Sequence, residues 1–398
     1  MNSDRRGFIK GSLGAAAITA APAFLPRTAW GANDRLSYAV IATGGRGRYV
    51  NRVFQGLGAQ CVAVCDVYEP NIALALKDSP QAKTYLDYRD LLQKEKGIDF
   101  VVLAGPDHHH CPMLLAVLEA GKDAYAEKPL SKSIEESAQM VAAVRKSRRI
   151  VQVGMQRRSA EVIRSAKKLV DDGVLGKISM VKPMWNWNIA KPLDNSPLPG
   201  KLDWQRFLGS APAREVEPMR FRSWRYFWDY AGGNMTDQGT HLMDVVQWFT
   251  NSGPPLSAIA NGQVVNMTGS EHPEVFCAVF EFPGFLATWT LNYCNSYEDN
   301  WSITFQGDKG TLVLDESGFR IYEEPWRELK NREPIYLVKR PVAVESHAQN
   351  FLDCIKTRQE PNCPVEVGAR AVAGPHLANI AFLKGRQAKL TPDGRVAV

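Results

Sequence analysis

The chain has 398 residues, 45% hydrophobic and 23% charged, with a formal net charge of +6. That length exceeds what one hydrophobic core usually serves, so two domains are expected, and the composition is ordinary for a globular protein. Basic residues gather only at Arg145–Arg149, which reads as a helix end, so the charge leaves no nucleic-acid footprint; seven scattered cysteines form no disulfide framework and read as small buried hydrophobes.

Residues 1–32 read as a transport label. Arg5-Arg6 stands just before Phe8, and a charge-free, alanine- and glycine-rich stretch follows from Gly11 to Leu25. This is the layout of a twin-arginine signal peptide, too short and too weakly apolar to span a bilayer. Export to the periplasm, with no membrane span in the mature protein, is therefore expected. Ala21 and Ala23, or Ala29 and Gly31, offer competing cleavage sites.

From residue 33 to 155 strands and helices alternate, as in a doubly wound parallel sheet. An apolar run from Leu36 to Ala42 ends in Thr43-Gly44-Gly45-Arg46-Gly47, and a helix is expected over 49–57. A second strand, 60–65, closes on Asp66 about twenty positions after the glycines, which is the dinucleotide-binding arrangement. The glycines let backbone approach a pyrophosphate at a helix N-terminus. Asp66 would accept from ribose hydroxyls and repel a phosphate there, which favours NAD over NADP. Ala42 replaces the usual first glycine.

A helix over 88–94, a strand over 98–104 and a helix opened by Pro106-Asp107-His108-His109-His110 come next, then a strand at 124–126, a helix over 134–145 and a strand over 150–154. Three adjacent histidines on a loop rarely converge on one ion, and no acidic or thiol partner has metal-site spacing, so no metal is expected. Helix capping, or contact with cofactor or substrate, are the readings left to them.

In residues 156–398, apolar and polar residues alternate over 275–282, 286–292, 301–306 and 310–315, with turns at Pro283-Gly284 and Asp308-Lys309-Gly310. These predict antiparallel hairpins. Between the halves lie Gln156-Arg157-Arg158, Trp185-Asn186-Trp187-Asn188 and Trp224-Arg225-Tyr226-Phe227-Trp228. Rings for sugar C–H faces and side chains for hydroxyls suit a carbohydrate, with Arg157, Trp185, Asn186, Trp224 and Tyr226 the candidate contacts. For any one of these tryptophans, ordinary sheet packing serves equally well.

Glu127-Lys128-Pro129 falls where the dinucleotide-binding half should finish, and Asp237 and His241, four apart, would share one helix face. A carbinol loses a proton as it loses hydride, so an ammonium, an imidazole and an orienting carboxylate form a sensible set. The plainer reading of Asp237 and His241 alone is a helix N-terminus satisfied by its own aspartate.

Ala42-Thr-Gly-Gly-Arg-Gly47, Asp66, Pro106-Asp-His-His-His110, Glu127-Lys128-Pro129, Gly173-Val-Leu-Gly-Lys-Ile178, Asp237-x-Gly239-x-His241 and His347-Ala-Gln-Asn-Phe-Leu-Asp353 occur in that order. Together they resemble the glucose-fructose oxidoreductase, inositol dehydrogenase and rhizopine-catabolism family (Gfo/Idh/MocA). The resemblance implies an N-terminal Rossmann domain and a C-terminal α+β domain whose open, mostly antiparallel sheet often builds a homo-oligomer. It implies hydride transfer between a nicotinamide cofactor and a sugar, cyclitol or related polyol, and a cis peptide at Lys128-Pro129.

On this reading Lys128, Asp237 and His241 are catalytic, and either Lys128 or His241 takes the proton. Thr43, Gly44, Gly45, Arg46, Gly47, Asp66, Pro106, His110, Glu127, Lys128 and Gln156 hold the cofactor. Two rivals stand beside it. One is an exported glycosidase-like enzyme that cycles bound NAD without net redox change, and the other is a non-catalytic sugar-binding member.

Overall fold

The computed structural model describes residues 35–325, 333–343, 345–392 and 394–398. The signal read over residues 1–32 lies outside them. The first half alternates as expected: β1 (Ser37–Ile41), α1 (Gly45–Gly56), β2 (Gln60–Cys65), α2 (Glu69–Asp78), β3 (Lys83–Tyr85), α3 (Tyr88–Lys94), β4 (Phe100–Leu103), α4 (Asp107–Glu119), β5 (Asp123–Ala126), α5 (Ile134–Ser147) and β6 (Val151–Val153). The strands form one parallel sheet in the order β3-β2-β1-β4-β5-β6. With β1 and β4 wholly buried apart from Ser37, they carry the continuous apolar runs of a sheet covered on both faces.

Where β1 turns into α1, Ala42 sits at φ +67°, the left-handed region that glycine adopts freely and alanine only under strain. Gly47 shows why the turn is so tight. A Cβ there would lie 2.1 Å from the Ala42 carbonyl oxygen, so only glycine lets the helix start this close to the strand.

The chain continues through α6 (Glu161–Asp171), β7 (Ile178–Asn186), α7 (Trp204–Leu208), α8 (Pro218–Arg222), α9 (Gly233–Asp237), α10 (Gly239–Thr250), β8 (Ser257–Gln263), β9 (Val275–Phe282), β10 (Phe285–Asn292), β11 (Asn300–Gly307), β12 (Gly310–Asp315), β13 (Gly318–Glu323), β14 (Tyr336–Lys339), α11 (Glu345–Thr357), α12 (Val365–Lys384), β15 (Ala388–Leu390) and β16 (Val396–Ala397). Ten of these strands make a second sheet, ordered β14-β13-β12-β11-β7-β10-β9-β8-β15-β16. The hairpins β9–β10 and β11–β12 form at the expected turns, but β7 inserts between them, parallel to β10 and antiparallel to β11.

One face of this sheet packs on α10 and α12 around Trp289, Phe280, Phe305 and Phe249. The other presents Ile259, Val279 and Leu286 to solvent, together with Cys277, which is exposed rather than a buried hydrophobe. Residues after 156 also return to the parallel sheet. Ala348, Phe351, Leu352 and Ile355 of α11 join Tyr38, Phe54 and Phe100 in one core cluster. Val365, Val367 and Ala371 of α12 pack into the other face. No helix among the described residues is long and apolar enough to cross a membrane.

Candidate active site

At the C-terminal ends of β1 and β2 the turn after β1 closes on Asp66. The Thr43 N–H donates to Asp66 Oδ2 at 2.7 Å, and the Tyr68 N–H donates to Asp66 Oδ1 at 2.9 Å. Asn71 adds a third donor at 3.2 Å. Burial raises the Asp66 carboxyl, and these donors oppose the rise. Gly44 is the N-cap of α1 with no side chain capping it, which leaves the first-turn N–H groups facing the cleft.

A cavity of about 1120 Å³ opens here, with Gly44, Gly45, Asp66 and Pro106 among its lining residues. Its size, the close glycine approach and the carboxylate at the end of β2 fit a dinucleotide. Arg46 pairs with buried Glu127 at 2.8 Å. With its amide oriented to suit both neighbours, Gln156 accepts from Arg46 and donates to the Gly154 carbonyl. Arg46, Glu127 and Gln156 thus brace the loop under the cradle.

The three histidines are all buried within α4. His108 and His109 each place Nε2 against the Phe207 carbonyl, at 2.8 and 2.7 Å. His110, expected at the cofactor, lies between the carbonyls of Pro129 and Gly105 at 2.6 and 2.8 Å and so holds the loop after β5. That loop carries the cis Lys128-Pro129 peptide.

Lys128 Nζ donates to the Asp237 carboxylate and, at 3.1 Å, to the Asp237 main-chain oxygen. Arg225 Nε stands 3.4 Å from the other carboxylate oxygen. Burial favours the neutral Asp237 acid, but Lys128 and then Arg225 outweigh it and hold the carboxyl below its usual range. The expectation of one helix face carrying Asp237 and His241 meets a break: α9 ends at Asp237, and His241 lies in the first turn of α10. Asp237 is instead paired with Lys128.

His241 is buried, and its Nδ1 has no hydrogen-bond partner among the described residues. Burial drives its pKa well down, with Arg157, Lys128 and Arg46 adding to the effect, which favours the neutral imidazole.

Two residues were missed as site members. Asp107, inside the quoted histidine motif, is buried where the charges of Asp237, Arg225 and Lys128 act on it, and burial raises its carboxyl to about 7. Arg225 carries no sequence signal beyond its aromatic neighbours.

Among the candidate sugar contacts, the buried Nε of Arg157 has no hydrogen-bond partner among the described residues. Its guanidinium lies 4.2 Å from the Trp301 ring centroid and 5.3 Å from that of Trp185, and burial lowers it to about 10. It lines a separate cavity of about 450 Å³ with Gln156, Trp301 and Glu316. Tyr226 is pushed up to about 12 by burial and then by Asp237. Trp224 lines the nucleotide cavity instead, and Asn186 donates to the Tyr297 carbonyl at 3.1 Å.

A Rossmann cradle feeding a paired lysine and a neutral histidine defines a nicotinamide-dependent oxidoreductase class. Residues 36–155 match the family model for the NAD-binding Rossmann fold of the GFO/IDH/MocA oxidoreductases, and residues 163–313 match the GFO/IDH/MocA C-terminal domain. The chain belongs to that family.

Inositol 2-dehydrogenase of Salmonella typhimurium is 32% identical over 126 residues, 31% of this chain and 37% of that protein. The chain thus matches well under half the length of that relative. An uncharacterized oxidoreductase of Bacillus subtilis, YrbE, is 24% identical over 304 residues, 74% of this chain and 80% of that one. Among solved structures, levoglucosan dehydrogenase in complex with NADH aligns with a TM-score of 0.72 at 18% identity, covering 90% of this chain and 99% of that one. The WlbA dehydrogenase of Bordetella pertussis in complex with NADH and UDP-GlcNAcA aligns with a TM-score of 0.68 at 20% identity, over 90% and 99%. At those identities the likeness is one of fold.

Proposed function

We propose that this protein transfers hydride between a secondary hydroxyl of a sugar, cyclitol or glycoside and NAD. The observation that carries the reading is the Lys128–Asp237 pair beside the buried, neutral His241. Asp66 and the turn from Thr43 to Gly47 hold the dinucleotide, with Pro106 at the cavity wall. When bound, the nicotinamide supplies the hydride acceptor.

Lys128, fixed by Asp237, donates to the reacting oxygen. His241 takes the hydroxyl proton as the C–H electron pair leaves, and the carbinol becomes a carbonyl. Arg157, Trp185 and Tyr226 contact the sugar. A non-catalytic sugar-binding role would leave the buried ion pair and the unpartnered imidazole without a purpose. The nucleotide part of this work belongs to residues 33–155 and the substrate part to 156–398.

Asp66 selects NAD, because its carboxylate repels a phosphate on the ribose. The exposed apolar residues of the second sheet, Ile259, Val279 and Leu286, support pairing with a second copy. Purified mature protein tests both: denaturation should release NAD, and light scattering should give a mass above one chain. Release of NADP, or of no nucleotide with no binding of added NAD, overturns the cofactor assignment, and a single-chain mass overturns the pairing.

Export through the twin-arginine route, which carries folded proteins, would let the enzyme load NAD before leaving the cytoplasm. Arg5→Lys combined with Arg6→Lys should leave the precursor in the cytoplasm, and unchanged periplasmic yield would refute the export reading.

A further inference from the structure

The chain between β7 and α9 belongs to neither sheet. Its helices α7 and α8 span five residues each, yet it holds an apolar cluster of its own: Trp204, Phe207, Leu208, Phe227 and Tyr230. One edge is fastened to the loop that follows Asp66. There the Asp203 N–H donates to the Val67 carbonyl at 2.8 Å and the Glu69 N–H to the Lys201 carbonyl at 3.0 Å, around an antiparallel bridge between Tyr68 and Leu202. The Tyr68 hydroxyl donates to the Pro199 carbonyl, and Arg206 pairs with Asp87 at 3.2 Å.

The other edge rests on α4, where His108 and His109 meet the Phe207 carbonyl. Gly209, at φ +56°, lies so close that a Cβ would come within 2.5 Å of the His109 ring. These attachments straddle the nucleotide cavity. Gly44, Gly45 and Asp66 line it from the parallel sheet, and Pro199, Arg206 and Phe207 line it from this segment.

We propose that residues 196–225 form a strap over the dinucleotide cavity, so that loading and release of NAD require the strap to detach from the loop after Asp66. The inference rests on the NAD reading above. Trp204, Phe207 and Leu208 stay packed on Phe227 and Tyr230 at the α4 edge, so the strap can lift from the loop after Asp66 while breaking a few hydrogen bonds and two largely exposed ion pairs, Arg206–Asp87 and Lys201–Glu69, a sub-global opening well below the free energy of unfolding. Its last residue, Arg225, touches Asp237, so the strap that covers the cofactor also sets the carboxylate that holds Lys128.

A reversible crosslink tests this. Opposed residues of an antiparallel bridge have Cα separations within disulfide range, so Tyr68→Cys with Leu202→Cys should lock the strap on oxidation and free it on reduction. The doubly substituted protein is loaded with NADH, oxidised, and mixed with excess NAD while bound-nicotinamide fluorescence is followed. The expected result is release and loading at least roughly tenfold slower than in the same protein after thiol reduction, with Arg206→Ala in the parental chain releasing faster than the parent.

Equal rates in the two redox states overturn the strap and leave the NAD site standing. Failure of the crosslink to form, read by mass, contradicts the Tyr68–Leu202 adjacency on which the strap depends. A parental protein that binds no NADH overturns the strap and the NAD reading together.

Discussion

Replacing Lys128 or His241 by alanine should remove most reduction of bound NAD by an active sugar while leaving nucleotide occupancy largely intact. A positioned general acid or base contributes typically about 10²–10⁴-fold, whereas dinucleotide affinity comes mainly from phosphate and ribose contacts at the other end of the site. The two substitutions differ in their structural effect. His241 has no partner at Nδ1, so its loss breaks no hydrogen bond there.

Lys128 is the principal counter-charge of Asp237, and both side chains are only 13% exposed. Removing one member of a buried pair typically destabilises by about 3–5 kcal/mol, and Lys128→Ala should cost less than that because Arg225 still faces the Asp237 carboxylate. Lys128→Met combined with Asp237→Asn removes both charges and should restore much of that stability without restoring hydride transfer. Single-turnover absorbance at the reduced-nicotinamide band on preloaded protein is the measurement. If both alanine variants reduce bound cofactor at the parental rate, the chemistry lies elsewhere.

The second large effect is on acid stability. All seven histidines, at 108, 109, 110, 241, 272, 347 and 376, are buried, and in each of them burial lowers the pKa. An imidazole that stays neutral in the fold but protonates in the unfolded chain stabilises the fold fully above the unfolded pKa. That stability is lost as the pH falls below about 6.5 toward the folded pKa, at up to about 1.4 kcal/mol per pH unit per group.

Burial-raised carboxyls at Asp66, Asp107 and Asp244 act in the opposite sense, since each takes up its proton at a higher pH in the fold than in the unfolded chain. Three such groups offset part of the effect of seven. With a typical total stability of about 5–15 kcal/mol, the protein should be markedly weaker at pH 5.5 than at 7.5. Urea titrations at the two pH values read this directly. An unchanged midpoint would mean that the imidazoles reach solvent or acidic partners when protonated.

The sequence by itself determined the nucleotide half. A glycine turn, the spacing to Asp66 and the alternation of apolar strands with helices are local signals, written in the backbone freedom of a few residues and in periods of 2 and 3.6. The hairpins β9–β10 and β11–β12 were legible for the same reason, their turns lying between alternating runs. Lys128, Asp237 and His241 read as one set in the sequence, with Asp237 expected to orient the substrate or the imidazole, but its pairing with Lys128 was not legible. Only the tertiary structure joined Asp237 to Lys128, 109 residues away, and ended one helix at Asp237 before His241.

It likewise decided that β7 enters between two hairpins, that α11 and α12 return to the first sheet, and that Arg157 lies over Trp301 and Trp185. The segment over the nucleotide cavity was the least legible part. Its short turns carry no long period, its aromatic residues read as well for a sugar pocket as for a small core, and its place depends on main-chain pairing with a loop more than a hundred residues earlier. Contacts of that range leave no periodic mark in the chain, because they are chosen by which edges and faces remain open after the local elements have formed.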